Sequence, residues 1–225
     1  MCPKGSYHHI STIMTDNNII KTLRMEMLNT VERNILPFWL NNMQDEEHGG
    51  FYGQMRGDGT LIKDADKGGI LNGRILWSFA AAYRVLQRPE YLAAAKRARD
   101  YIINHFIDSE YGGSYWSVDY LGNAKDTKKQ FYAIGFMLYG MSEYVRAAIT
   151  DLRIPQTEIE ETIEISFQLF DTIEVHSLDR INNGYIEAQT REWGEIADMR
   201  LSDLDANYPK SQNTHLHIME PYTNL

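Results

Sequence analysis

The sequence predicts an all-α fold in which helical hairpins follow one another and short β-hairpins connect them. Three observations lead to this class. Apolar residues recur at helical spacing in six long blocks, glycine-rich loops separate these blocks in pairs, and the loops resemble one another. We expect three helical hairpins, the third unfinished, arranged as about half of a ring.

The first three blocks predict one long helix and then a helical hairpin. In the first block, a single buried stripe is predicted by apolar residues that stand four apart, namely Leu23, Met27, Val31 and Ile35. The second block runs from about Gly69 to Leu86 and has one apolar face, formed by Leu71, Ile75, Phe79 and Tyr83. The third block follows Pro89, a residue suited to a first helical turn. Two helices joined so closely should lie antiparallel.

The last three blocks predict the helices of two further hairpins. Asp126 stands where an N-cap of the fourth helix is expected. The fifth helix is expected to open at Pro155 and to carry Ile159, Ile163 and Phe167 on its apolar face. The sixth is expected to start near Pro209.

Three loops between the helix pairs look like copies of one unit. They read "EEHGGFYGQMRGDGT", "DSEYGGSYWSVDYLGNA" and "DRINNGYIEAQTREWGE", and each passes from polar residues through a glycine turn into alternating aromatics. Their glycines Gly50, Gly113 and Gly184 stand 63 and 71 residues apart. Stacked repeats bury their apolar faces only against neighbours. We therefore expect the chain to be the N-terminal part of a longer ring, with open ends that favour self-association.

Composition limits the class of partner. The formal net charge of −9 over 225 residues works against nucleic acid or an anionic membrane surface, so a neutral small molecule is expected instead. Cys2, the single cysteine, cannot form an internal disulfide, and the first twenty residues lack the apolar run of a secretory signal. These features predict a cytoplasmic protein with a flexible lead-in at residues 1–16, one domain at 17–225, and no metal or cofactor.

Arg74 and Tyr132 are the first candidate site residues. Arg74 stands inside an apolar helix, where a guanidinium needs polar or anionic partners. It either forms a salt bridge with Asp64, Asp66 or another helix, or lines an internal cavity and faces a substrate oxygen. Tyr132 lies among apolar residues, where its hydroxyl also needs a partner. It is either a core residue or a second group in that cavity.

The segment "NTHLHIMEPYTNL" supplies further candidates. Asn213 and His217 are four residues apart and share a helix face, with Glu220 one turn along, while His215 points away. The two histidines therefore do not form a local chelating pair, and zinc is not expected. The alternative for His217 is a structural histidine in the core, with its ring nitrogens hydrogen-bonded within the protein. Pro221 removes a helical N–H bond and is expected to bend or fray the last turn.

Four motifs carry a resemblance to a known family. The segments "ILPFWLNNMQDEEHGGFYGQM", "DKGGILNGRILWSFAAAYR", "YGGSYWSVDYLGNAKDTKKQFYAIGF" and "SQNTHLHIMEPYTNL" occur in the order typical of the N-terminal half of the N-acylglucosamine 2-epimerase family. The resemblance spans from about residue 20 to the end. It implies an (α/α)6 barrel with the active site at its axis, of which this chain would form about half.

The resemblance also implies roles for individual residues. Arg74, in "RILW", would contact the sugar and stabilise negative charge. Tyr132 would contact the substrate, and Asn213 and His217 would belong to the same pocket. Phe136 and Trp193 would line it further. The two principal acid/base histidines of the family would lie in the half beyond residue 225.

The implied reaction is the interconversion of glucose and mannose at the reducing end of β-1,4-linked disaccharides such as cellobiose. Removing and returning the C2 proton requires acid/base groups on both faces and a cation near the enediolate. Three alternatives stay open at this point: epimerisation of N-acylglucosamine or isomerisation of mannose, glycoside hydrolysis by carboxylates such as Asp64, Asp66 or Asp126, and a non-catalytic sugar-binding or self-associating fragment.

Overall fold

The computed structural model describes residues 6–225, with side chains from residue 17 onward. Residues 1–5, which include Cys2, lie outside the described chain, and residues 6–16 of the expected lead-in belong to the first helix. Contacts divide the chain into two compact units that meet in sequence between Gln44 and Asp45. Within the described residues, no helix combines the length and apolar character needed to span a lipid bilayer.

The first unit is a helix with one irregular turn. Helix α1 (Ser6–Thr30) continues through a π-helical turn (Val31–Ile35) into α2 (Leu36–Asn42). The wider turn precedes Pro37, which has no N–H to donate to the preceding turn. The predicted buried stripe is wrong, because Leu23, Met27 and Ile35 are 50%, 68% and 48% exposed. Four-residue spacing places side chains on one face but does not supply the element that covers it.

The second unit contains five helices in hairpin succession. They are α3 (Gly69–Leu86), α4 (Pro89–Tyr101), α5 (Phe131–Ala148), α6 (Gln156–His176) and α7 (Gln212–Asn224). The predicted bounds of α3 and the first-turn position of Pro89 are confirmed. Helix α4 extends through a π-helical turn (Ile102–Phe106). Helix α3 packs on α4 and α5, and α5 packs on α6 and α7.

Three predicted helix details are corrected by the structure. Asp126 is not an N-cap, because it ends a β-strand and α5 begins five residues later, after Gln130 in an extended conformation. The last helix begins at Gln212 with Ser211 as its cap, whose side chain accepts the Thr214 N–H. On α6, Ile159 is buried as expected, but Phe167 is 54% exposed. Helical periodicity alone cannot tell where a strand precedes a helix or which face is covered.

Helix α5 forms the centre of the second unit because it has neighbours on several sides. Every residue from 131 to 138 is buried. Two glycines allow α3, α5 and α7, which we call the inner helices, to lie close together. A Cβ on Gly73 would lie 2.7 Å from the backbone of Phe136, and a Cβ on Gly135 would lie 2.7 Å from the carbonyl oxygen of His217. The spacing of α3, α5 and α7 therefore depends on the absence of a side chain at these positions.

Gly135→Ala should lower the free energy of unfolding by about 1–3 kcal/mol, because the added methyl must push the backbone of α7 away. In an open helix the same change would instead be stabilising by up to about 1 kcal/mol. Urea titration measures the difference. Gly68→Ala is the matched control, since nothing lies within 4 Å of its Cβ position. Equal stability of Gly135→Ala and the parent would contradict the close approach.

The three loops share one geometry, so the predicted copies are confirmed. In each loop an aspartate N–H donates to a glycine carbonyl five residues later: Asp45 to Gly50 (3.1 Å), Asp108 to Gly113 (3.1 Å) and Asp179 to Gly184 (2.8 Å). All three glycines have positive φ. Each aspartate also binds a lysine Nζ, from Lys67 (2.7 Å), Lys129 (2.7 Å) and Lys210 (2.6 Å) respectively. Each lysine stands two residues before an inner helix, α3, α5 or α7.

Short strands join consecutive repeats. Within loops, β1 (Gln54–Met55) pairs with β2 (Leu61–Ile62), and β4 (Ser117–Val118) pairs with β5 (Ala124–Asp126). Between repeats, β3 (Lys67–Gly68) pairs with β4, and β6 (Lys129–Gln130) pairs with β7 (Ala188–Gln189). The second and third loops thus each pair a strand with the preceding repeat.

Candidate active site

Equivalent positions on the three inner helices face one another. Arg74, Phe136 and His217 each stand seven residues after the lysine of their own repeat. Three residues after those lysines come Ile70, Tyr132 and Asn213, and ten residues after them come Trp77, Tyr139 and Glu220. These spacings put the nine residues on one face of α3, α5 and α7, in three successive layers. We call this numbering of positions from Lys67, Lys129 and Lys210 the lysine register. It was absent from the sequence-based prediction, although the aspartate and lysine in each repeat could have revealed it.

Four predicted site residues come together in a cluster that we call the axial cluster: Arg74, Tyr132, Phe136 and His217. The guanidinium of Arg74 donates from Nη2 to the Tyr132 hydroxyl at 3.1 Å, and its Cζ lies 4.3 Å from the centre of the Phe136 ring. The His217 ring lies 4.6 Å from Tyr132 and 4.8 Å from Phe136, measured between ring centroids. A cation, a phenol and an imidazole therefore surround the ring of Phe136.

The contacts of Arg74 involve aromatic side chains and not the aspartate Asp66. Asp66 pairs with Lys125 at 2.7 Å, whereas the Arg74 guanidinium lies against the Phe136 ring and the Tyr132 hydroxyl. Of its apolar neighbours, Ile75 is buried, while Leu71 and Trp77 are half-buried. Arg74 itself is exposed, and Tyr132 and Phe136 are 7% and 6% exposed. The Arg74 guanidinium thus lies over the buried side chains of Tyr132 and Phe136, and its remaining N–H groups can donate to a ligand.

A buried carboxylate holds the first turn of α7, the helix that carries His217. Glu187 is 4% exposed and accepts hydrogen bonds from the Ser211 N–H and the Thr214 hydroxyl, both at 2.6 Å. This carboxylate sits at the positive end of the helix, where negative charge is stabilising. No spacing in the sequence pointed to Glu187, because it lies in the preceding loop. It fixes the start of the helix that carries His217.

Pro221 does not end α7, which continues to Asn224. Because Pro221 has no N–H, the carbonyl of His217 lacks its ordinary helical donor. That carbonyl oxygen is the atom that lies against Gly135 on α5. The proline therefore frees a carbonyl at a helix contact, and the expected fraying of the last turn is not observed.

His215 has a structural role that its direction on the helix anticipated. Its Nδ1 lies 2.6 Å from the Ser211 carbonyl, and its Nε2 accepts the Tyr185 N–H at 2.9 Å. Nδ1 is thereby used within α7, and Nε2 attaches the third loop to this helix. Across the described side chains, no group of three His, Cys, Asp or Glu residues is placed to hold a metal ion.

Asn213 and Trp193 lie apart from the axial cluster contacts. Asn213 is exposed, and with Glu187, Lys210 and Ser211 it lines a cavity of about 230 Å³. Trp193 has a left-handed φ of 65°, donates from Nε1 to the Tyr111 carbonyl at 2.8 Å, and stacks on His176 at 3.9 Å. Burial lowers the pKa of His176. The turn that carries Trp193 therefore directs its indole toward the second loop.

Comparison with known proteins places the chain in a family. A sequence model of the N-acylglucosamine 2-epimerase family matches residues 50–221. The chain belongs to the N-acylglucosamine 2-epimerase family. All six predicted site residues of this family member lie inside the matched stretch, and α3, α5 and α7 carry all of them except Trp193, which lies in a turn.

Individual family members show how much of a full-length protein is present. The chain is 55% identical over 203 residues to cellobiose 2-epimerase of Bacteroides fragilis and 39% identical over 207 residues to that of Ruminococcus albus. These matches cover 90% and 92% of this chain but 50% and 49% of the relatives. The solved cellobiose 2-epimerase of Bacillus thermoamylovorans superposes with a TM-score of 0.82 at 38% identity, over 91% of this chain and 50% of that one. The chain thus spans about half the length of these relatives.

Proposed function

We propose that the axial cluster is part of an epimerase site that interconverts glucose and mannose at the reducing end of β-1,4-linked disaccharides such as cellobiose. The observation that carries this proposal is the Arg74 guanidinium, bonded to Tyr132 and lying on Phe136, with His217 against the same ring. The names of the relatives, cellobiose 2-epimerases, support the choice of sugar.

The chemistry proceeds through the open-chain sugar. A base removes the proton at C2, and the C2–H electron pair forms a C1–C2 double bond while the C1 carbonyl electrons move to oxygen. The resulting enediolate carries negative charge, which a guanidinium held beside it stabilises. A proton returned to C2 from the opposite face restores the aldehyde and gives the epimer. Arg74 supplies the cation, and Tyr132 and His217 position the sugar oxygens.

Two acid/base groups on opposite faces of C2 are needed for this exchange. Of the axial cluster, only His217 is a histidine, the residue type that most often transfers protons in enzymes, and arginine stays protonated in proteins. We infer that the chain by itself is an incomplete (α/α) barrel, with residues 17–225 forming its hairpins, and that it has little or no activity. The half-length match to the relatives supports this inference. A sugar-binding fragment without turnover is therefore the second candidate.

Sugar binding tests the cluster directly. Saturation-transfer NMR of the chain should show contact with cellobiose, stronger than with mannose or N-acetylglucosamine. Arg74→Met should weaken the cellobiose affinity about 10–100-fold, because hydrogen bonds to charged groups contribute roughly 1.5–3 kcal/mol. Arg56→Met, which alters an exposed arginine in the β1–β2 turn, is the control. Unchanged binding in Arg74→Met, or stronger binding of N-acetylglucosamine, would contradict the assignment.

We also propose that two copies associate through the free flank of α7. Leu216 and Met219 are 47% and 55% exposed. By the lysine register, their counterparts are Gly73 and Leu76 on α3 and Gly135 and Leu138 on α5, all of them buried. In the two earlier repeats the next inner helix covers this flank, so continuity of the repeat supports a second copy as the occupant.

Sedimentation velocity should show an equilibrium between monomer and dimer that shifts with concentration. Leu216→Glu should move it toward monomer, because burying an unpaired carboxylate is unfavourable. Leu152→Glu, at a residue that is 101% exposed, should leave it unchanged. A single monomer peak over a hundredfold concentration range would refute the association.

A further inference from the structure

Glu220 pairs with the histidine of the axial cluster. Its Oε2 lies 2.7 Å from the Nδ1 of His217, three residues earlier on α7. The counterparts of Glu220 in the other repeats are Trp77 and Tyr139, whose rings contact each other at 5.1 Å. The third repeat therefore has a carboxylate where the first two have aromatic side chains. This carboxylate lies on the same helix face as the imidazole.

The pairing selects one form of the imidazole. An ionised carboxylate can only accept hydrogen bonds, so the proton of a neutral His217 ring must be on Nδ1. The lone pair of Nε2 is then free to accept. The rings of Tyr132 and Phe136 lie against the imidazole and limit its rotation. The side chain of His217 is 17% exposed, so a ligand can still reach it.

His215 provides an internal comparison on the same helix. Its Nδ1 also pairs with an oxygen, that of the Ser211 carbonyl, but its Nε2 is already occupied by the Tyr185 N–H. The two histidines thus share one tautomer, but only the Nε2 of His217 remains available to accept a hydrogen bond. His215 serves the fold, whereas the Nε2 of His217 lies in the cluster that contains Arg74 and Tyr132.

We propose that Glu220 is a positioning residue, which holds His217 in the Nδ1–H form and presents Nε2 as the acceptor for a sugar hydroxyl. The identity of the ligand rests on the proposed function, but the pairing itself does not. Glu220 acts through His217 and does not contact the sugar. Arg74 and Tyr132 supply donors in the same cluster, so His217 adds the acceptor that a hydroxyl also requires.

Two-bond proton–nitrogen NMR of the histidine-labelled chain tests the pairing. At about pH 8.5, two units above the ordinary histidine pKa, His217 should show protonated Nδ1 and unprotonated Nε2. Glu220→Gln should keep this pattern, because the amide oxygen can still accept. Glu220→Leu should give a mixture of both tautomers, while His215 stays unchanged in both variants. A protonated Nε2 in the parent chain, or an unaltered His217 in Glu220→Leu, would overturn the proposal.

A cellobiose titration separates this inference from the proposed function. The Nε2 resonance of His217 should shift on addition of cellobiose, and less in Glu220→Leu. The expected tautomer without any sugar response would uphold the positioning role and count against the epimerase site. A sugar response with the opposite tautomer would do the reverse. If Glu220→Leu does not fold, the tautomer in the parent chain and in Glu220→Gln decides the matter.

Discussion

Incubated with cellobiose in deuterated water, the 225-residue chain alone should show neither mannose at the reducing end nor deuterium at C2 above a buffer control. The reason is the number of proton carriers. Losing one well-placed acid/base group typically costs about 10²–10⁴ in rate, and the axial cluster offers His217 alone for two faces of C2. The loss of further groups that orient the sugar would lower the rate again.

The cellobiose 2-epimerase of Bacteroides fragilis, of which this chain matches half, is the positive control and should show both signals. Carbon and proton NMR of the same samples identify the product. An epimer indicates an epimerase, a ketose an isomerase and free glucose a hydrolase. Deuterium at C2 with the short chain would show that a second acid/base group is present within it, and would point to a partner of His217 that the axial cluster does not include.

Lys129→Met should lower the free energy of unfolding by about 3–5 kcal/mol, the usual cost of removing one partner from a buried ion pair. Lys129 and Asp108 are both fully buried, and their charged atoms lie 2.7 Å apart. Arg191 also donates to Asp108 at 2.8 Å. In Lys129→Met the buried Asp108 carboxylate loses one of its two cationic partners and keeps only Arg191. The thioether fills a similar volume, so the loss reports on charge rather than on a cavity.

Urea unfolding at neutral pH provides the measurement, and Lys125→Met provides the control. Lys125 pairs with Asp66 near the surface, where such pairs contribute about 0–1 kcal/mol. Burial of Asp108 raises its pKa, but hydrogen bonds from Arg191 and Lys129 outweigh burial and hold that pKa well below its usual range. Its contribution to stability is therefore complete above about pH 4 and declines as the pH falls further. A cost below about 1 kcal/mol in Lys129→Met would contradict this account.

Helical periodicity predicted much of the fold because most inner-helix positions face a neighbour. The bounds of α3 and the hairpin with α4 followed directly from apolar spacing and from Pro89. The same spacing wrongly predicted burial of Leu23 and Met27, because periodicity identifies a helix face but does not show that another element packs against it. Asp126 failed as a cap because the strand pairing of β5 competes with helix initiation at that point.

The site was predictable where its residues occupy equivalent positions on inner helices. Arg74, Tyr132, Phe136 and His217 meet because the repeat places them in adjacent layers of one face. Trp193 was not, since its direction depends on a left-handed backbone conformation in a turn. Glu187 acts through contacts with a helix terminus, and such contacts leave no periodic trace in a sequence. Glu220 stood one turn beyond His217 on the predicted helix face, but helical spacing does not show that its carboxylate pairs with the imidazole.

The strands that join consecutive repeats have a consequence for biosynthesis. The N–H of Gly69, the first residue of α3, donates to the carbonyl of Trp116, and the N–H of Phe131 at the start of α5 donates to that of Glu187. Helices α3 and α5 are thus completed by residues translated several seconds later, at elongation rates of roughly 5–20 residues per second. On the ribosome, each of these two helices must wait with an unfinished first turn until the following loop leaves the exit tunnel. Folding order is thereby tied to the direction of translation.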